Sequence, residues 1–326
     1  MHVRDISRPG IAQLVTERRP GRVSKTFAFL RANPKITFGL GVILFFLLVA
    51  IAAPLLTPYR PDVRVILGAQ PSQPPSFAHP FGTTDLGQDL FSQVVYGARV
   101  TLVIAFIAAF GSTALQVLFG LTGAYLGGLI DDLISLLINV GLVLPGLPLT
   151  IVLASLASAA SVNRNEIVIA LVLLFTSWQY GARVLRAQTL SLKEREFVTA
   201  ARASGESVWR IIFVEILPNE LALVASTFVG TFVYVMGAEI ALEFLGLGDP
   251  SQASWGSILY WAQNDSALPA GQWWLFVPAG VCIALFCGSL AFLNFGIDEI
   301  ANPRLHIEKP RKKVLRLLKK AENVVA

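Results

Sequence analysis

The chain has 326 residues, of which 54% are apolar and 14% charged, with a net charge of +5. Water-soluble domains carry about 25% charged residues. The composition therefore excludes an ordinary soluble enzyme, a disordered tail protein and a nucleic-acid binder, and the basic excess is read first as membrane orientation.

In chain order, residues 1–35 form a polar, basic leader. The first apolar run, Ile36 to Thr57, is long enough to cross about 30 Å of hydrocarbon. It reads as an uncleaved first transmembrane helix and not as a removable signal. An outer segment, 58–99, follows. Its prolines (Pro61, Pro71, Pro74, Pro75, Pro80) oppose regular structure in the first half. Thr84 or Asp85 is placed to cap a short helix leading into the next span. His79, Asp85 and Asp89 lack helical spacing and read as a capped loop, with no metal expected.

The uncharged stretches Val100–Ile130 and Leu133–Asn163 give a second and a third span, joined by a turn at Asp131–Asp132. Gly123 and Gly127 make a small-xxx-small pair in the second, and Pro145 and Pro148 kink the third. Ile167–Ala182 is short, and Arg183 and Arg186 extend it by snorkelling. The fifth span, Leu221–Ala238, runs on past Glu239 and Glu243 towards Leu247; the sixth lies in the second part of Ser266–Ile297. In lipid every backbone polar group must be satisfied within its own segment, so six such spans predict an all-α polytopic membrane protein. Cys282 and Cys287 sit five apart in the last run, on different helix faces, and read as unbridged buried hydrophobes.

The leader, the segment 183–215 and the stretch 298–326 hold 22 of the 26 lysines and arginines. By the positive-inside rule these three regions, and both termini, are cytoplasmic in a cell membrane. Trp255, Trp261, Trp273 and Trp274 then fall on the outer side, where an interfacial belt belongs.

The cytoplasmic segment 191–219 carries the most local information. Ser191 with Glu194 fits a capping box. Ala200, Ala201 and Ala203 favour a compact helix that Gly205 ends through a positive φ, and a second helix starts near Ser207 and runs towards Pro218. Read from the residues alone, this pair fits an amphipathic element resting on the membrane surface. Glu239 and Glu243, four apart, share one helix face. Two readings fit them: a pathway contact for a cationic or amine group, or a packing carboxylate near the outer surface.

Thr199-Ala200-Ala201, Gly205 and Leu217-Pro218 fall on the spacing Glu-Ala-Ala, three residues, Gly, nine residues, Ile-x-Leu-Pro. That pattern resembles the cytoplasmic signature of ATP-binding-cassette importer permeases, with Thr199 at the first Glu and Glu215 at the Ile. His79-Pro80-Phe81-Gly82-Thr83, Asp85 to Ser92 and Tyr96-Gly97-Ala98-Arg99 look like the outer loop of the dipeptide/oligopeptide "C" permease branch. So do Glu239 with Phe244 to Gly248, Trp255-Gly256, Asn294 to Asp298 and Asn302-Pro303-Arg304. The similarity runs from about 36 to 305; Glu243 departs from it by standing where the family has a small residue.

The resemblance implies a type I importer permease fold: one N-terminal helix, 36–57, plus a five-helix core, 100–300, with the coupling loop 191–219 and a basic tail 301–326. It implies a heterodimer with a second permease in the lipid of the inner membrane, served by two cytoplasmic ATPase subunits and an extracytoplasmic solute-binding protein. Glu196, Ala200, Ala201, Arg202, Gly205 and Trp209 would dock on an ATPase subunit; Glu239 and Glu243 are candidate pathway residues. The chain contains no Gly-Lys dipeptide, hence no P-loop, so ATP and magnesium belong to the partners, and no cofactor or nucleic acid is expected here. The branch also carries oligosaccharide, nickel and glutathione importers, so peptides are the default solute. A stand-alone secondary transporter or a membrane enzyme would leave the two loop motifs unexplained.

Overall fold

The computed structural model describes residues 31, 33–57, 59, 71–159 and 166–301. Most of the leader, part of the outer segment, the 160–165 stretch and the basic tail lie outside the described residues. The helices are α1 (Pro34–Leu56), α2 (Leu90–Leu126), α3 (Gly128–Val143), α4 (Gly146–Ala159), α5 (Glu166–Thr176), α6 (Gln179–Leu192) and α7 (Glu196–Ala203). There follow a single turn α8 (Val208–Arg210), a π-helical turn Ile211–Ile216, α9 (Leu217–Phe244), α10 (Trp255–Asn264) and α11 (Val277–Ala301).

Five helical stretches are long and apolar enough to cross a membrane: α1, α2, Glu166–Leu192, Val208–Phe244 and Val277–Ile297. The bent pair α3–α4 is the sixth. α2 forms the axis, packing against α1, α5, α6 and α9; α11 closes the bundle between α1 and α9. The core is an apolar cluster on α1, α2, α9, α10 and α11, centred on Phe46, Trp255 and Phe286.

Several local expectations are corrected. α2 begins at Leu90, ten residues before the uncharged run, because Asp89 and not Thr84 or Asp85 is its N-cap; Asp89 accepts from the Ser92 amide at 2.8 Å. Its 37 residues span about 55 Å, well beyond the thickness of the hydrocarbon, with Arg99 in its third turn. The turn after α2 is Gly127–Gly128, with φ of +69° and +56°, and Asp131 sits in the first turn of α3. Gly127 therefore makes no helix contact; the close approach in α2 is at Gly120, where an added Cβ would lie 2.9 Å from the Ala182 carbonyl oxygen of α6.

The proline kink is a full break. α3 and α4 meet at 91°. Leu144, extended at ψ 129°, precedes Pro145, as the steric clash with a proline ring requires. Pro148 falls in the first turn of α4, where its missing N–H is harmless. Trp255 is not a belt residue: it is 0% exposed, and its Nε1 donates to the Val94 carbonyl at 3.0 Å. Trp261 and Trp273 are exposed, and Trp274 is half-buried. Cys282 and Cys287 are free and pack against the core.

Candidate functional site

Two features stand out, one at the basic end of the bundle and one inside it. At the basic end, α6 runs past Ser191, so the expected capping box with Glu194 does not form, and α7 starts behind Arg195. α7 ends in a complete Schellman turn: the Glu206 amide donates to the Ala201 carbonyl at 3.2 Å and the Gly205 amide to the Arg202 carbonyl at 3.1 Å. Gly205 holds φ +77°, as that turn requires.

Ser207 then caps the next helix. This helix does not stop at Pro218 but continues into α9. Proline cannot donate to the carbonyl four residues back and its ring crowds it. The preceding turn widens into Ile211–Ile216, with the Leu217 amide bonded to the Ile212 carbonyl five residues earlier.

The inner side of this hairpin is a small core of Val198, Ile211 and Ile216, with Tyr125, Leu192 and Ala201 around it. Two polar contacts fasten it to the bundle. Lys193 Nζ donates to the Ala124 carbonyl at 3.0 Å. The Arg202 guanidinium lies 5.5 Å over the Tyr125 ring. Behind them Arg186 grips Asp131 with two 2.7 Å hydrogen bonds, joining α6 to the first turn of α3.

Of the six residues named for docking, Glu196, Ala200, Arg202, Gly205 and Trp209 are exposed and Ala201 is half-buried. They share the outward side with Phe197 and Phe213, and Phe213 stacks on Trp209 at 5.9 Å. Arg202 also reaches back over Tyr125, and Ala201 packs on the inner core. Phe197 and Phe213 are additions the sequence signature does not contain; their signal was only that apolar residues were spent on a water-facing loop.

A half-open cavity of about 550 Å³ lies between α3, α4, α5, α6, α9 and α11. Its wall includes Thr176, Gln179, Tyr180, Ser226, Thr227, Thr231, Tyr234 and Asn294, and no charged side chain lines it. Ser226 Oγ donates to Asn294 Oδ1 at 2.8 Å, fixing α9 to α11. Glycines set two walls: an added Cβ on Gly146 would strike the Tyr234 hydroxyl, and one on Gly141 the Gln179 side chain at 2.5 Å.

Glu239 and Glu243 are not on this wall. They are 0% and 5% exposed at the far end of α9. Ser254 Oγ donates to Glu243, and Gly248 and Gly256 leave the room its side chain occupies. Neither oxygen of Glu239 has a hydrogen-bond partner among the described residues. Glu243, through Ser254, ties α9 to the 245–276 segment. The cavity residues were missed because no charge or motif marks them; they converge only when four helices and the broken span pack.

At the same far end, His79 Nδ1 lies 2.9 Å from Asp89 Oδ1, so the capping carboxylate also anchors the outer loop. Asp85 accepts from Ser72 Oγ.

A multi-pass helical bundle with a half-open cavity that carries hydroxyl and amide groups on a largely apolar wall, and a glycine-jointed hairpin at its basic end, defines a membrane permease. The chain belongs to the family described as binding-protein-dependent transport system inner membrane component, whose model matches residues 116–306. A second model, the N-terminal TM domain of oligopeptide transport permease C, matches residues 25–75. The chain is 34% identical to the dipeptide transport system permease protein DppC of Bacillus subtilis (strain 168), covering 85% of this chain and 84% of the relative. It is 31% identical to the oligopeptide transport system permease protein OppC of the same organism, covering 84% and 87%. Among solved structures, the inward-facing MetNI methionine ABC transporter aligns with a TM-score of 0.51 at 15% identity, over 64% of this chain and 94% of that one. That likeness supports the fold: this is the ABC importer permease architecture.

Proposed function

We propose that this chain is one of two permeases in an ATP-driven peptide importer of the cell membrane. Its termini and the α7–α8 hairpin face the cytoplasm, and the 71–99 and 245–276 segments face outward. The observation that carries this reading is the hairpin: a glycine-jointed element, fastened to the end of α2 on one side and presenting Phe197, Trp209 and Phe213 to water on the other. Exposed apolar side chains on a well-packed element call for a protein partner.

The partners are two ATPase subunits, a second permease and an outer solute-binding protein. Ala200 is small enough to let an ATPase groove close on α7, with Glu196, Arg202 and Trp209 at its margins. ATP and magnesium bind to those partners. Their closure would displace α7, and the bundle would pass between inward-open and outward-open states; ATP must favour one of the two for this to do work.

The cavity supplies half of the pathway. Hydroxyl and amide groups with no fixed charge suit a solute rich in amide groups and impose no charge preference of their own. Peptides fit this, in keeping with the names of the relatives.

The test is purification of the tagged chain from its native membrane in mild detergent, with mass spectrometry of what accompanies it. A second permease and P-loop ATPases are expected, with ATPase activity stimulated by peptide-loaded binding protein. Recovery of the chain alone, under conditions that preserve known complexes, would overturn the importer reading.

A further inference from the structure

Thr189 Oγ1 donates a 2.8 Å hydrogen bond to Glu220 Oε1. Thr189 is in the last turn of α6 and Glu220 in the first turn of α9. The side chains are 0% and 1% exposed. Everything between them in sequence is the hairpin: α7, the Gly205 joint, α8 and the π-helical turn. The bond therefore closes the base of the coupling element.

Packing alone does not call for a carboxyl group here. Leu121, Leu185 and Ile212, with Leu217, Leu223 and Val224 around them, already hold α2, α6 and the start of α9 together. Apolar contact is non-directional, and helices held only by it can slide. A buried hydrogen bond fixes distance and register, and leaving it unmade in an apolar surround is costly. The second Glu220 oxygen has no partner among the described residues, so Thr189 is the tie this side chain makes there.

We infer that Glu220 is a positioning residue for energy coupling. Through Thr189 it locks the mouth of the hairpin, so a displacement of α7 reaches α6 and α9 as one body. Without it, α9 can shift along α6 and the push is dissipated in the π-helical turn. This rests on the importer reading, since α7 transmits a displacement only when an ATPase docks on it.

The experiment uses the complete complex in proteoliposomes and measures solute carried per ATP hydrolysed. Glu220→Leu and Thr189→Val are each expected to lower that ratio about tenfold, the size of losing one buried hydrogen bond to a carboxyl group. Glu220→Gln keeps an acceptor for the Thr189 hydroxyl, and Thr189→Ser keeps the donor; both should retain the wild-type ratio. The double variant Thr189→Val/Glu220→Leu should be no worse than either single, because the two act through one bond. A wild-type ratio in both single variants would overturn the proposal, as would a Gln variant that behaves like the Leu variant. If Glu220→Leu does not assemble, Thr189→Val, nearly the same volume, decides alone. A wild-type complex with no solute-stimulated ATPase would instead overturn the importer reading itself, and the role of Glu220 with it.

Discussion

The guanidinium of Arg202 lies 5.5 Å above the ring of Tyr125, bonding the middle of the hairpin to the end of α2. Such a contact contributes about 0.5–1 kcal/mol near a surface. Arg202→Ala or Tyr125→Leu should therefore loosen α7 without unfolding the bundle. Amide hydrogen exchange over residues 196–205 should rise several-fold in either variant, with Tyr125→Phe near wild type. Unchanged exchange in Arg202→Ala would mean the contact holds nothing.

Gly205 is the joint between α7 and α8. Its φ of +77° costs an L-residue about 1–2 kcal/mol. Proline fixes φ near −65° and removes the N–H that bonds the Arg202 carbonyl. Gly205→Pro should break the joint and leave ATP hydrolysis unresponsive to solute, while the spans still insert. Gly205→Asn, which tolerates positive φ better, should be milder. Wild-type solute-stimulated ATPase in Gly205→Pro would remove the hairpin from the coupling scheme.

The Asp131–Arg186 pair is partly buried and bidentate, so removing one partner strands the other. Asp131→Ala should destabilise the bundle by about 1–3 kcal/mol, read as a lower Tm in detergent. Arg186→Met should cost a similar amount: it keeps the packing of the methylene stem but leaves Asp131, the less exposed of the two, unpaired. Equal Tm values for wild type and Asp131→Ala would contradict this.

The cavity and the two far-end glutamates make opposite predictions. Tyr234→Ala and Asn294→Ala alter the wall and should change solute transport by roughly tenfold, as the loss of one good contact does. Glu239→Gln and Glu243→Gln, off that wall, should leave solute affinity within about twofold, below the effect of one hydrogen bond. Gly146→Ala should act like a cavity variant, since its methyl would drive Tyr234 inward. A large transport defect in Glu239→Gln at normal expression would return that carboxyl to the pathway.

Trp255 tests the far-end packing. It is fully buried between Phe46 and Phe286 and bonded to Val94. Trp255→Ala should cost about 3–5 kcal/mol and lower the yield of folded protein. A variant as stable as wild type would show that this cluster is not the core.

The class of protein was legible in the sequence because lipid imposes a one-dimensional rule. Each span must be long, apolar and internally hydrogen-bonded, so Ile36–Thr57 and its successors could be counted residue by residue. The hairpin was legible for the same kind of reason: Gly205 and Ser207 act on their immediate neighbours, and both serve as the pattern implies. Local rules failed where two candidates competed. Thr84 and Asp85 were the caps expected, but the cap is Asp89, the carboxylate that His79 and Ser92 hold at once. Ser191 had the spacing of a cap, but α6 gained more by running through it.

What the sequence determined by itself was a set of apolar helices, their basic and non-basic ends, and a glycine joint at residue 205, all properties of charge and backbone within one segment. Only the tertiary structure decided that a proline would break the third span at 91°, that Trp255 would be core and not belt, and that Glu239 and Glu243 would sit off the cavity while Tyr234 and Asn294 lined it. It also joined Thr189 to Glu220 across the whole hairpin. These depend on which helix faces meet, and that is set by interlocking shapes such as Gly120 against Ala182. No window along a single chain contains both sides of such a contact.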